Sequence, residues 1–131
     1  MTKKLEITEY YELVALHKAL HVARFGREQL VPALPGSPYL ADIAKRVVET
    51  LAEMEVMRGK PERANDWLVK IDQTGEIWQI AVRNAAVEPD LWNRRTHQEK
   101  LSLAQIYLSP FIYTAEMLEK FVQQVDVQTK T

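Results

Sequence analysis

Cysteine is absent from this 131-residue chain, which removes thiol nucleophiles, disulfides and Cys-ligated zinc and fits a cytoplasmic setting. Glycine is scarce, and its four residues, at positions 26, 36, 59 and 75, never cluster into a Gly-x-Gly-x-x-Gly or Walker loop, so no phosphate cradle is expected. Serine occurs only at Ser37, Ser102 and Ser109. The first and last of these precede proline, the habit of a cap or turn residue, and no Gly-x-Ser-x-Gly elbow is present. No apolar run approaches the roughly 18 residues of a membrane span. The chain starts Met1-Thr2-Lys3-Lys4 and runs directly into acidic and aromatic residues, so no leader is expected.

An excess of one charge is missing as well. Lys and Arg number 17 against 18 Asp and Glu, for a formal net charge of −1. No long stretch departs far from neutrality, so the field that attracts nucleic acid or anionic lipid is lacking, and neither is expected as a partner. What the chain does have is 47% apolar residues, enough for a single globular domain over residues 1–131 without metal or disulfide staples, the end from Val127 being expected to fray.

Periodicity divides that domain. A helix is expected from about Glu9 to Glu28, capped by Thr8, with Leu13, Leu16 and Leu20 on one apolar arc and Ile7, Tyr11, Val14, Val22 and Phe25 on another. Tyr10, His17, His21, Arg24 and Glu28 form a polar stripe between the arcs. The connector Val31 to Gly36 follows, then a second helix with Ser37 as cap and Pro38 at its first position. Leu40, Ile43, Val47, Leu51 and Met54 form its apolar face, and Gly59 is its expected stop. Asp42, Lys45, Arg46, Glu49 and Glu53 take the opposite face, and the Glu53/Glu55 pair is assigned to solvent.

Beyond Pro61 the pattern reads as extended. Trp67 to Ile71 and Glu76 to Val82 are rich in β-branched and aromatic residues, and Asp72-Gln73-Thr74-Gly75 lies between them. They form an expected β-hairpin with Gly75 in the left-handed region. Leu5 to Ile7 is a candidate third strand. Asn84 to Arg95 carries no clear signal. The capping box Thr96-His97-Gln98-Glu99 starts a helix to about Leu108, and Thr114 starts a last one with Met117, Leu118, Phe121, Val122 and Val125. The expected fold class is therefore α+β and predominantly helical: two long N-terminal helices, a β-hairpin and two shorter C-terminal helices.

Three functional expectations follow. The foremost is a non-enzymatic protein-interaction module, such as an adaptor, an inhibitor or a small subunit. It would bind a protein partner or self-associate, with no cofactor, through an aromatic surface of Trp67, Trp78, Ile80, Val82 and Trp92. The plain alternative for those side chains is a well-filled core. A second expectation is a small-molecule-binding protein or metal-dependent enzyme centred on the stripe Tyr10, His17, His21 and Arg24. Two imidazoles four apart on a helix can share an ion, with His97 as a candidate third ligand. The third is a winged-helix-like nucleic-acid binder with the hairpin as its wing, which the unbroken second helix and its mixed charges disfavour.

Overall fold

The computed structural model describes residues 4–130. Met1 to Lys3 and Thr131, parts of the expected leaderless start and frayed end, lie outside the described residues. Seven α-helices follow one another in this region: α1 Tyr10–Phe25, α2 Pro38–Met57, α3 Ala64–Trp67, α4 Glu76–Ala85, α5 Pro89–Asn93, α6 His97–Leu108 and α7 Ala115–Thr129. A 3-10 turn, Pro61–Arg63, leads into α3.

The helix ends follow local chemistry. In α1 the cap is Glu9 rather than Thr8, its carboxylate accepting from the Tyr11 and Glu12 amides. The helix stops at Phe25, short of the expected Glu28. Ser37 caps α2 through the Leu40 amide with Pro38 in the first turn, and Gly59 beyond it takes a φ of 77°. Side-chain Cβ atoms resist that conformation, so glycine suits the end of this helix. Thr96 and Glu99 form the reciprocal capping box of α6, and Thr114 caps α7. The stretch from Val127 continues that helix to Thr129, which is buried. Its hydroxyl donates to the Val125 carbonyl at 2.9 Å.

The expected β-hairpin is overturned. Among the described residues there is no strand, so the fold is all-helical rather than α+β. Residues Glu76 to Ala85 are α4, and Asp72 to Gly75 form its entry turn, where the Asp72 carboxylate accepts from the Thr74 amide at 2.9 Å and hydroxyl at 2.7 Å. Gly75 is the N-cap at φ −89°, ψ 170°, ordinary extended backbone rather than left-handed. Trp78, Ala81, Val82 and Ala85, spaced three and four apart, are all buried, while Glu76, Gln79 and Arg83 are exposed. That is a helical stripe with a helical back. The first expected strand survives only as an extended link after α3. The Ile71 amide donates to the Ile112 carbonyl and the Ile112 amide to the Val69 carbonyl, each at 2.9 Å, a single parallel bridge. Leu5 to Ile7 is likewise not a strand. With no hairpin there is no wing, and the winged-helix comparison lapses.

Two apolar clusters organise the helices. The larger gathers Trp78, Ala81 and Val82 of α4, Trp92 of α5, Ala104 and Leu108 of α6 and Phe121, Val122 and Val125 of α7, with Phe25 from the end of α1. The smaller lies between α1 and α2, around Leu13, Leu20, Ala44, Val47 and Leu51. Arg24 stands where the two meet, and its carbonyl accepts from Asn84 Nδ2 of α4 at 3.1 Å.

Candidate functional site

The polar stripe of α1 faces inward, as its position between two apolar arcs implies, but its members have separate fates. Tyr10 donates its hydroxyl to Glu55 Oε2 at 3.0 Å, and the Trp67 indole N–H donates to the same oxygen at 3.1 Å. Arg58 lies 4.2 Å from the centre of the Tyr10 ring and 3.7 Å from Glu55 Oε1. Glu55 is only 2% exposed, so its assignment to a solvated face is corrected. The Trp67 indole, joined by the Tyr10 hydroxyl and the Arg58 charge, holds its carboxyl below the usual carboxylate range against the opposing effect of burial. A signal for it existed: Ala41, Ala44, Val48, Ala52 and Glu55 recur at three- and four-residue spacing on α2, placing a charge at the end of an apolar stripe.

About two turns further along α1, His17 and His21 are half-buried. Both line a small cavity of about 120 Å³, walled by Trp67, Pro110 and Phe111 and edged by Asp66. The His17 ring meets the Trp67 ring edge-on at 5.3 Å, and His21 packs beside Phe25 and Phe111. Burial lowers both imidazole pKa values, helped by His21 and Lys18 at His17 and by Arg24 at His21. The neutral ring is thus the favoured form of each. The third expected metal ligand is elsewhere: His97 is exposed on α6 and sits 2.9 Å from Glu119 Oε2. Among the described residues no group of three His, Asp or Glu side chains is placed to hold a metal ion.

Arg24 is the last stripe residue on α1, since Glu28 lies beyond the end of the helix and is exposed. It is 1% exposed and donates through Nη1 to the Ser109 carbonyl and through Nη2 to the Ile106 carbonyl, the latter at 2.6 Å. Ile106 belongs to the last turn of α6, where its carbonyl faces Pro110 and finds no amide donor, and Ser109 is the C-cap. Arg24 is therefore a C-terminal cap supplied from another helix, and burial lowers its pKa to about 10.

The expected aromatic partner surface is not a surface. Trp78, Ile80, Val82 and Trp92 are all buried. Both buried indoles have internal partners, Trp78 donating to Gln124 Oε1 at 2.8 Å and Trp92 to Asp126 Oδ1 at 2.9 Å. Trp67 alone is half-buried. With residues 76–85 coiled into a helix, the larger core takes in Trp78, Val82 and Trp92, while Trp67 packs against the smaller one.

No family model, curated protein or solved structure matches this chain. Function therefore rests on two surface features, the first built on the apolar faces that periodicity assigns to the two long helices. One is an apolar groove of about 450 Å³ along α1 and α2, floored by Leu13, Leu16, Leu20, Leu40, Ile43 and Val47 and rimmed by Leu5 and Arg46. The other is a more polar cleft of about 540 Å³ where the connector after α1 meets α4, α5 and α6. They share no residue.

Proposed function

We propose that the protein is a non-enzymatic interaction module whose partner is a second copy of the same chain, docked across the open face of α1 and α2. The observation that carries this reading is the unfinished state of the smaller core. Five buried residues there are surrounded by eight half-buried ones, among them Ile7, Leu16, Leu40 and Ile43. Two helices form a layer that the remainder of the chain covers on one side. A second such layer would complete a four-helix arrangement and bury both grooves.

Charge supports a self-complementary contact. Asp42 and Arg46, 3.5 Å apart, lie one turn from each other on α2. In an antiparallel copy related by a two-fold axis at the level of Ala44, they meet as two crosswise pairs. A formal net charge of −1 sets little long-range repulsion between copies. Leu5 and Tyr39, 88% and 80% exposed, supply apolar contact at the edges. A cytoplasmic setting belongs to the same reading, supported by the lack of cysteine. No helix among the described residues is long and apolar enough to cross a membrane.

Sedimentation velocity over about 5 to 200 µM tests the proposal, a range that brackets the micromolar affinity of a modest interface. Wild type is expected to shift from monomer to dimer with concentration, and Leu5→Glu and Ile43→Glu to remain monomeric with unchanged far-UV dichroism. Leu5 is too exposed for its replacement to unfold the monomer. A wild-type protein that stays monomeric throughout refutes the reading.

A small-molecule role for the His17–His21 face ranks second. Its supporting observation is the cavity beside two imidazoles, neither of which makes a hydrogen bond to a described residue. At about 120 Å³ that space holds roughly four waters at liquid density. Among the described residues no carboxylate bonds to either ring to orient it as a general base.

A further inference from the structure

The cleft beside α5 combines groups that the fold itself leaves unused. Tyr107 of α6 is half-buried in its wall, and its hydroxyl makes no hydrogen bond to a described residue. It lies so close to the connector that a Cβ at Gly36 would fall 2.8 Å from the phenol oxygen. Burial raises the Tyr107 pKa, Glu88 adds to that and Arg95 opposes it, so both charges act on one phenol that stays a donor at neutral pH. Glu88 makes no ion pair among the described residues, and the nearest carboxylate to Arg95 is Glu99 at a loose 3.9 Å. Asn84, 8% exposed, lines the same cleft and spends Nδ2 on the Arg24 carbonyl, leaving Oδ1 as a free acceptor. Leu91 and Leu103 add apolar wall.

A carboxylate and a guanidinium flank this space without pairing to each other. They bracket α5, Glu88 as its N-cap and Arg95 just beyond its C-cap Arg94. A ligand that meets both carries a cation and an anion, and the Tyr107 hydroxyl and Asn84 Oδ1 in the same lining supply the donor and the acceptor that one peptide amide takes. The volume of about 540 Å³ falls within the usual range for small-molecule sites, roughly 300 to 1,000 Å³. We propose that this cleft binds a zwitterionic dipeptide with an apolar side chain, its ammonium on Glu88, its carboxylate on Arg95 and its amide against Tyr107 and Asn84. The site is independent of the α1–α2 groove, so either proposal can fail alone.

Amide-resolved NMR titration of the full chain tests it with three probes: L-alanyl-L-leucine, its N-acetyl derivative and its C-terminal amide. The free dipeptide is expected to bind saturably below about 20 mM, with shifts confined to residues around 84–95 and 103–107. It should bind at least about tenfold more tightly than either blocked form. In Glu88→Gln the free and N-acetylated peptides should bind equally, and in Arg95→Gln the free and amidated peptides should do so. Both side chains lie at the surface, and the same spectra report whether each variant is folded. Absence of saturable shifts overturns the proposal, as does equal binding of all three probes to wild type or an unaltered preference in the two variants.

Discussion

Arg24 carries a full charge at neutral pH while almost wholly buried, since a pKa of about 10 still keeps it protonated. What makes this tolerable is the α6 terminus, whose partial negative charge and unpaired carbonyls it meets. Replacing Arg24 by Ala leaves the Ile106 and Ser109 carbonyls without that donor and is expected to cost about 2 to 4 kcal/mol in urea unfolding. Arg24→Lys should fall between, because an ammonium cannot reproduce the planar fork. Equal stability of all three proteins would mean that α6 finds other partners. His17 and His21 give the opposite case, bases held neutral by burial. With folded pKa values below the unfolded value of about 6.5, their contribution is complete above that pH and is lost as pH falls towards the folded values. Acidification from pH 7 to about 5 should therefore lower the melting temperature of wild type more than that of a His17→Gln, His21→Gln variant. Asp66 lines the same cavity, and equal losses would show that neither ring is held neutral by burial.

At the scale of the element, legibility depended on window length. Seven residues from Glu76 to Val82 contain only two polar positions, so a two-residue and a 3.6-residue period fit almost equally, and β-branched composition favours strand. Extending the window to Ala85 adds Arg83 in phase with Glu76 and Gln79, and the helix becomes the better template. Caps were more legible than cores: Ser37, Thr96 and Thr114 all act where their side chains suggested, because capping is local, whereas burial of Trp78 is decided by α7 far along the chain. Proline substitutions distinguish the two structures of residues 76–85. Glu76 is the first residue of α4, where proline is tolerated and no helical amide bond is lost, so Glu76→Pro should keep the far-UV dichroism and nearly the melting temperature of wild type. Arg83→Pro, inside the helix, should cost about 3 kcal/mol or more. In a hairpin whose second strand ends at Val82, Arg83→Pro would fall outside the pairing and cost little.

In the molecule as a whole, the two apolar clusters differ in how completely they are enclosed. The cluster around Trp78, Phe121 and Val125 is shielded by four helices, while that of α1 and α2 keeps one open flank. Local opening is easiest where fewest apolar groups are buried, so the amides of α1 from Leu13 to Leu20 should exchange with solvent faster than those of α4 and α7 in dilute protein. Arg24 and Phe25 limit how far this opening spreads, since they tie the end of α1 into the larger cluster. Ligand-linked stabilisation then supplies a test that joins the residue, the element and the proposed dimer. A partner that covers the open flank protects only the native state, and its effect grows with protein concentration. Raising the concentration from about 5 to 200 µM should slow exchange in α1 and α2 and leave α7 unchanged until global opening dominates, whereas Leu5→Glu should remove the concentration dependence without altering the dilute-protein rates. Protection that rises equally throughout the chain would instead mean that the two clusters open as one cooperative unit.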